Sequence, residues 1–146
     1  MGTYVRLTGI TIENFKNVVS GHLSFENTRK KYNASILALY GQNGSGKTAL
    51  IDAIELLQHS LCGRPIPEYF ADYINLESNR ATITYDFSIG NQHGVHPASY
   101  KICIERALFN EEQNMGQPEG TNLKIVVVNE VLRCPILTEK KVKMGR

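Results

Sequence analysis

The residues Ser35-Ile-Leu-Ala-Leu-Tyr40 run without a break into Gly41-Gln-Asn-Gly-Ser-Gly-Lys-Thr48, and a helix-patterned segment from Lys47 to Leu61 follows. The fold turns on how this stretch is read. The loop has the spacing G-x-x-x-x-G-K-[ST], and it stands where that spacing has physical meaning, between a strand-like run and the start of a helix. A helix N-terminus offers unpaired N–H groups and the positive end of a dipole, which suits a group carrying several negative oxygens. Gly41, Gly44 and Gly46 allow backbone torsions that turn successive amides inward. Lys47 then reaches the β- and γ-phosphates of a nucleoside triphosphate, and the hydroxyl of Thr48 meets Mg²⁺.

Working outward, Ser35 to Tyr40 is apolar on both faces, as a central strand covered on both sides would be. After the loop, Leu50, Ala53, Ile54, Leu57 and Leu61 recur at helical spacing, with Asp52, Glu55 and Gln58 off that stripe. Gly63 and Pro65 end the helix, and Arg64 to Asn79 reads as a linker with one short turn. Upstream, Tyr4 to Ile12 alternates as a strand whose phase slips at Gly9, the mark of a bulge. Phe15 and Val18 fall in a turn-like segment, and Leu23 and Phe25 belong to a short second strand. Asn27 to Asn33 is a polar connector, expected to be solvated. Downstream, Ala81 to Ile89 and Tyr100 to Glu105 alternate with period two, Leu123 to Leu132 reads as a third strand, and the three are expected to pair as an antiparallel meander. The expected class is α/β: a P-loop NTPase lobe with a mixed sheet, the helix that leaves the phosphate loop, and the meander.

The chain of 146 residues is long enough for one domain with a real core, and its net charge of +2 with 21 % charged residues does not by itself argue for nucleic-acid binding. No run of about 18 apolar residues exists to span a membrane, and Met1 to Arg6 carries no apolar signal core. Arg6 stands where a myristoylation signal wants Ser or Thr. Cys62, Cys103 and Cys134, odd in number and without metal-ligand spacing, fit reduced thiols in a cytoplasmic protein. His93 and His96 form an H-x-x-H pair that Gly94 and Pro97 place in a loop rather than on a ligand-holding helix. The basic end, Lys140 to Lys143, reads as a solvated terminus.

Ile12-Glu-Asn-Phe-Lys16, the loop Gly41 to Thr48, and Ile51-Asp-Ala-Ile54 together resemble the opening of the SMC (structural maintenance of chromosomes) and RecF-like ATPases, which are ABC-type heads that often act on DNA. Bacterial AAA-family and OLD-like ATP-binding proteins share this look. The resemblance covers roughly the first 60 residues. It implies that Gly41, Gly44, Ser45, Gly46, Lys47 and Thr48 bind phosphate and Mg²⁺, and that Asn43 supports the shape of the loop. It also places Lys16 and Asn17, just after the first strand, where such heads contact the nucleotide. The implied cofactors are ATP and Mg²⁺. The implied assembly is a nucleotide-dependent homodimer, with DNA as a possible further partner and no membrane.

The departures from that pattern shape the expectation. The sequence holds no Leu-Ser-Gly-Gly signature. The nearest Walker B candidate, Ile125-Val-Val-Val-Asn-Glu130, follows the meander directly and reads as a strand with a surface glutamate, so no catalytic residue is assigned. Residues 1–146 are therefore expected to form the N-terminal lobe of a head whose second half lies elsewhere, binding Mg-ATP and hydrolysing it poorly alone. Two competing readings are a small P-loop phosphotransferase, against which the strand-rich region after the helix and the scatter of Arg64, Arg80, Arg106 and Arg133 both count, and a non-catalytic nucleotide sensor or assembly module.

Overall fold

β1 (Tyr4–Phe15) carries the alternation that starts the core: Ile10, Ile12 and Phe15 are buried while Thr11 and Glu13 face out. A computed structural model of the chain describes residues 2–26, 38–109 and 122–134. β1 turns at Lys16–Asn17 into β2 (Val18–Ser24), with which it pairs antiparallel. It runs further than the sequence suggests: Phe15 is its last residue, and Val18 opens the return strand. On its other side β1 pairs with β3 (Arg80–Asn91), and the register shifts between Leu7 and Gly9, the bulge that the phase slip predicts.

β3, β4 (Gly94–Phe109) and β5 (Asn122–Arg133) form the expected meander, joined at their first turn by Gln92 and His93. β1 extends it, so the sheet has the order β2-β1-β3-β4-β5. Every pairing among the described residues is antiparallel, where a mixed sheet was expected. The expected central strand Ser35–Tyr40 accounts for the difference. Residues 38–40 are not in a strand, and Tyr40 is 92 % exposed. A strand exists only where a neighbour completes its backbone hydrogen bonds, and among the described residues none lies beside this segment. Residues 35–37, the connector 27–33, most of the polar loop 110–122 and the basic end 140–143 lie outside the described residues.

His96 and Pro97, expected in a loop, stand on β4 opposite Ile89 and Ser88. Pro97 lies beyond the end of β5, whose last partner pair is Ser99 with Arg133, so on that side no ladder asks for its missing N–H.

α1 (Lys47–Leu61) has the predicted bounds and covers one face of the sheet. Its buried stripe is Ala49, Leu50, Ala53, Leu56 and Leu57, not the expected set, for Ile54 is 42 % and Leu61 60 % exposed. The helix carries more apolar residues than one sheet face can cover. Ala49 and Ala53 turn inward because their small side chains let the helix sit close to β3, where the hydroxyl of Tyr85 reaches the carbonyl oxygen of Ala53. The helix ends at Gly63, with Gly63 N–H donating to Ser60 O (3.2 Å) and Arg64 N–H to His59 O (2.9 Å), a Schellman closure.

The linker hides a structural element. Glu68–Tyr73 is a 3₁₀ helix, η1, that drives Phe70 and Ala71 into the core and is followed by the buried Ile74, bridged to Phe15. The rings of Phe15, Tyr69, Phe70 and Tyr73 pack with centroid separations of 5.0 to 6.3 Å. This layer seals the end of the sheet beside the β1–β2 turn.

Candidate phosphate-binding site

Gly46 is the N-cap of α1 and takes a left-handed conformation, φ 90°. An added Cβ there would lie 3.1 Å from Val18 Cγ2, so the loop enters the helix at a place where both torsion and space demand glycine. No side chain caps the helix, and its first turn holds no acidic residue. The amides that open α1 therefore have no acceptor within the helix and no carboxylate in their turn. This is a donor cluster suited to phosphate oxygens, and the dipole adds to it.

Asn43 and Gly44 form a turn ahead of Ser45 and Gly46, with Gly44 at φ 84° and Ser45 N–H donating to Gln42 O at 3.2 Å. The ammonium of Lys47 lies inside this loop. It donates to Gly41 O (2.6 Å), Gln42 O (2.7 Å) and Ser45 Oγ (3.2 Å). A lysine tied to three neutral acceptors holds the loop round and is ready to exchange them for a charged ligand, since a hydrogen bond between two charged groups is the stronger one. Thr48 is exposed on the first turn of α1. The described residues thus bring together Gly41, Asn43, Gly44, Ser45, Gly46, Lys47 and Thr48 at one end of one helix.

Lys16 and Asn17 arrive at the same place from the other direction. Asn17 Nδ2 donates to Gly44 O, so the β1–β2 turn touches the loop directly. Lys16 is engaged beside it: its ammonium pairs with the carboxylate of Asp52 on α1 and lies 3.9 Å from the centre of the Tyr73 ring. Asp52 and Tyr73 are residues the sequence reading missed. In the sequence Asp52 stands off the apolar stripe of the helix, and its place in Ile51-Asp-Ala-Ile54 is the one signal it carries. Tyr73 lay inside an apparent linker and carried no signal.

Glu130 stands elsewhere. It lies on the edge strand β5, accepts the hydroxyl hydrogen bond of Tyr100, and lines a cleft of about 330 Å³ together with Ser60 and Arg64. Those residues mark the C-terminal end of α1, about 20 Å along the helix from Lys47 at 1.5 Å per residue. A carboxylate there does not touch a γ-phosphate held at Lys47. The strand-with-surface-glutamate reading of residues 125–130 therefore agrees with the geometry.

Of the cysteines, Cys103 is buried on β4 and Cys62 is exposed after α1; all three are free thiols. No helix among the described residues is long and apolar enough to cross a membrane.

The family model described as AAA domain matches residues 9–132. No curated protein and no solved structure matches the chain.

Proposed function

We propose, from the premise that this chain belongs to the AAA-domain family of ATPases, that it binds Mg-ATP at the N-terminus of α1 and serves as a lobe of an SMC- or RecF-like head. The observation that carries this reading is the uncapped start of α1 directly behind a loop whose own lysine points into it. Gly44 and Gly46 supply backbone amides to the phosphates, Ser45 offers its hydroxyl, and Lys47 leaves the carbonyls of Gly41 and Gln42 to meet the β- and γ-phosphate oxygens. Asn43 shapes the turn, while Lys16 and Asn17 flank it. Mg²⁺, when bound, would offset charge on the phosphates, and the Thr48 hydroxyl would be the group of the loop that holds it.

Turnover needs a carboxylate that orients water, and none stands free at the loop among the described residues. Asp52 is engaged by Lys16, and Glu130 is at the far end of the helix. A signature and a Walker B strand from a further half of the head, with a second head closing on the nucleotide, would complete the site. A link to DNA in repair, chromosome maintenance or phage defence belongs to this same proposal. The phosphotransferase reading loses ground, because the region after α1 is a strand meander. Arg80 is also tied to Glu105 (2.9 Å), and Arg106 to the carbonyls of Ile74 (2.7 Å) and Ala71 (3.3 Å). The placement of Glu130 keeps a nucleotide-binding module without turnover of its own as the second reading.

Calorimetric titration of Mg-ATP into the wild type and into Lys47→Ala tests the proposal. Binding by the first and its loss in the second are expected; equal affinity in both would defeat the site.

A further inference from the structure

The β1–β2 turn is built as a brace. Asn14 and Lys16 both take left-handed torsions, φ 55° and 53°; asparagine enters that region readily, whereas lysine adopts it only where its surroundings hold it there. The hold is visible. Lys16 N–H donates to Tyr73 O (2.5 Å), Asn75 N–H donates to Asn14 O (2.9 Å), and the Lys16 ammonium is paired with Asp52. The turn is thereby fixed to η1 and to the helix that starts at the phosphate loop. It presents two groups to that loop: the amide of Asn17 on Gly44 O, and the side chain of Val18 against Gly46.

We infer that Asn17 is a positioning residue for the phosphate loop, acting through Gly44 rather than by contact with nucleotide. A trans peptide points its C=O and its N–H in opposite directions. Holding the Gly44 carbonyl toward Asn17 therefore turns the Ser45 N–H the other way, toward Gln42 O, the oxygen that Lys47 also binds. Gly44 has no side chain to fix this peptide, and nothing lies within 4 Å of where its Cβ would stand. The Asn17 amide is the external group that sets it. The Lys16–Asp52 pair keeps the amide in place from behind. This assignment rests on the reading of the loop as an ATP site, and it gives Asn17 a different role from the nucleotide contact that the resemblance implies.

The test compares the full chain with Asn17→Ala and Asn17→Leu, the second keeping the size of the side chain while removing its donor and adding no charge. Two ligands are titrated, Mg-ATP and inorganic tripolyphosphate, and the amide resonances of Gly44 to Lys47 are recorded without ligand. Both variants are expected to lose about fivefold to tenfold in affinity, the worth of one hydrogen bond, and by the same factor for both ligands. The loop resonances should move before any nucleotide is added, while those of β3 and β4 stay in place. Affinities within about twofold of wild type, or unmoved loop resonances, would overturn the inference, one hydrogen bond being worth more than that. So would a loss for ATP with tripolyphosphate unaffected, which would assign Asn17 to the nucleoside. If the wild type binds neither ligand, the ATP-site reading fails by itself, and the ligand-free resonances still decide whether Asn17 sets the loop.

Discussion

The hydroxyl of Tyr85, at the centre of β3, donates to the carbonyl oxygen of Ala53, in the middle of α1, at 2.5 Å. The sheet therefore holds α1 through a polar contact inside an apolar core. Burial, and then the neighbouring Tyr100, push the Tyr85 phenol well above its ordinary range. Tyr85→Phe removes this bond without leaving an orphan, because the Ala53 carbonyl keeps its partner within the helix. The expected loss is about 1 kcal/mol, read as a lower urea midpoint at unchanged slope. Affinity for Mg-ATP should not change, since Ala53 lies beyond the first turn.

Two glycines of the loop should respond differently to alanine. At Gly44 (φ 84°) a Cβ meets nothing, and only the torsion is penalised, by about 1–2 kcal/mol. At Gly46 (φ 90°) the same torsional cost is joined by a contact of 3.1 Å with Val18 Cγ2. Gly46→Ala should therefore be the more destabilising change, and Val18→Ala should recover part of the difference for Gly46→Ala but none for Gly44→Ala. Thermal midpoints of the two single and two double variants check this; equal losses at both glycines would refute the packing of the β1–β2 turn on the loop.

The Lys16–Asp52 pair should be asymmetric. Their side chains are 21 % and 13 % exposed, so neither is freely solvated. Lys16→Met leaves a half-buried carboxylate without its cation, whereas Asp52→Asn leaves an ammonium that still lies over the Tyr73 ring. We expect Lys16→Met to cost about 1–3 kcal/mol and Asp52→Asn less, with the double variant below the sum of the two. A urea double-mutant cycle measures the coupling, and strict additivity would mean that the pair does not form.

What the sequence made legible was whatever has a short period or a local grammar. The loop and helix are contiguous, so spacing alone bounds α1 at Lys47 and Leu61. The phase slip at Gly9 marks the register shift because a bulge is a local insertion. What stayed hidden depends on partners distant in the chain. The insertion of β1 between β2 and β3, the contact of Asn17 with Gly44, and the salt bridge from Lys16 to Asp52 leave no periodic trace. Phe70 was missed because a 3₁₀ turn is too short to show a period. Of the strand expected over residues 35–40, the described part, 38–40, is not in a strand: apolarity says that a segment wants cover but not that a partner is present.

The corrected helix stripe can be checked by truncation. Leu56 was left out of the expected stripe and is fully buried, while Ile54 was placed in it and is 42 % exposed. Leu56→Ala should cost about 2–5 kcal/mol, the range for emptying a packed site, and Ile54→Ala under about 1 kcal/mol. If the order were reversed in urea unfolding, the helix would be rotated about its axis relative to the sheet, and the Tyr85–Ala53 contact would fall with it.

Tyr69 and Tyr100, like Tyr85, should titrate late. The hydrogen bond to Glu55, and then burial, raise Tyr69 from the usual 10.0 to about 12. Burial, and then the hydrogen bond to Glu130, raise Tyr100 from 10.0 to about 12. In both cases the fold favours the protonated phenol. Below pH 10 the native and unfolded chains both keep these protons, and stability does not depend on them. Between pH 10 and pH 12 the unfolded chain releases protons that the native chain retains, so stability falls as pH rises through that window. An alkaline titration followed by near-ultraviolet absorbance, with circular dichroism reporting that the chain is still folded, should show a late phenolate step. Tyr69→Phe and Tyr100→Phe should each remove part of that step. A titration in which either variant leaves it intact would mean that the corresponding carboxylate, Glu55 or Glu130, is not holding the phenol.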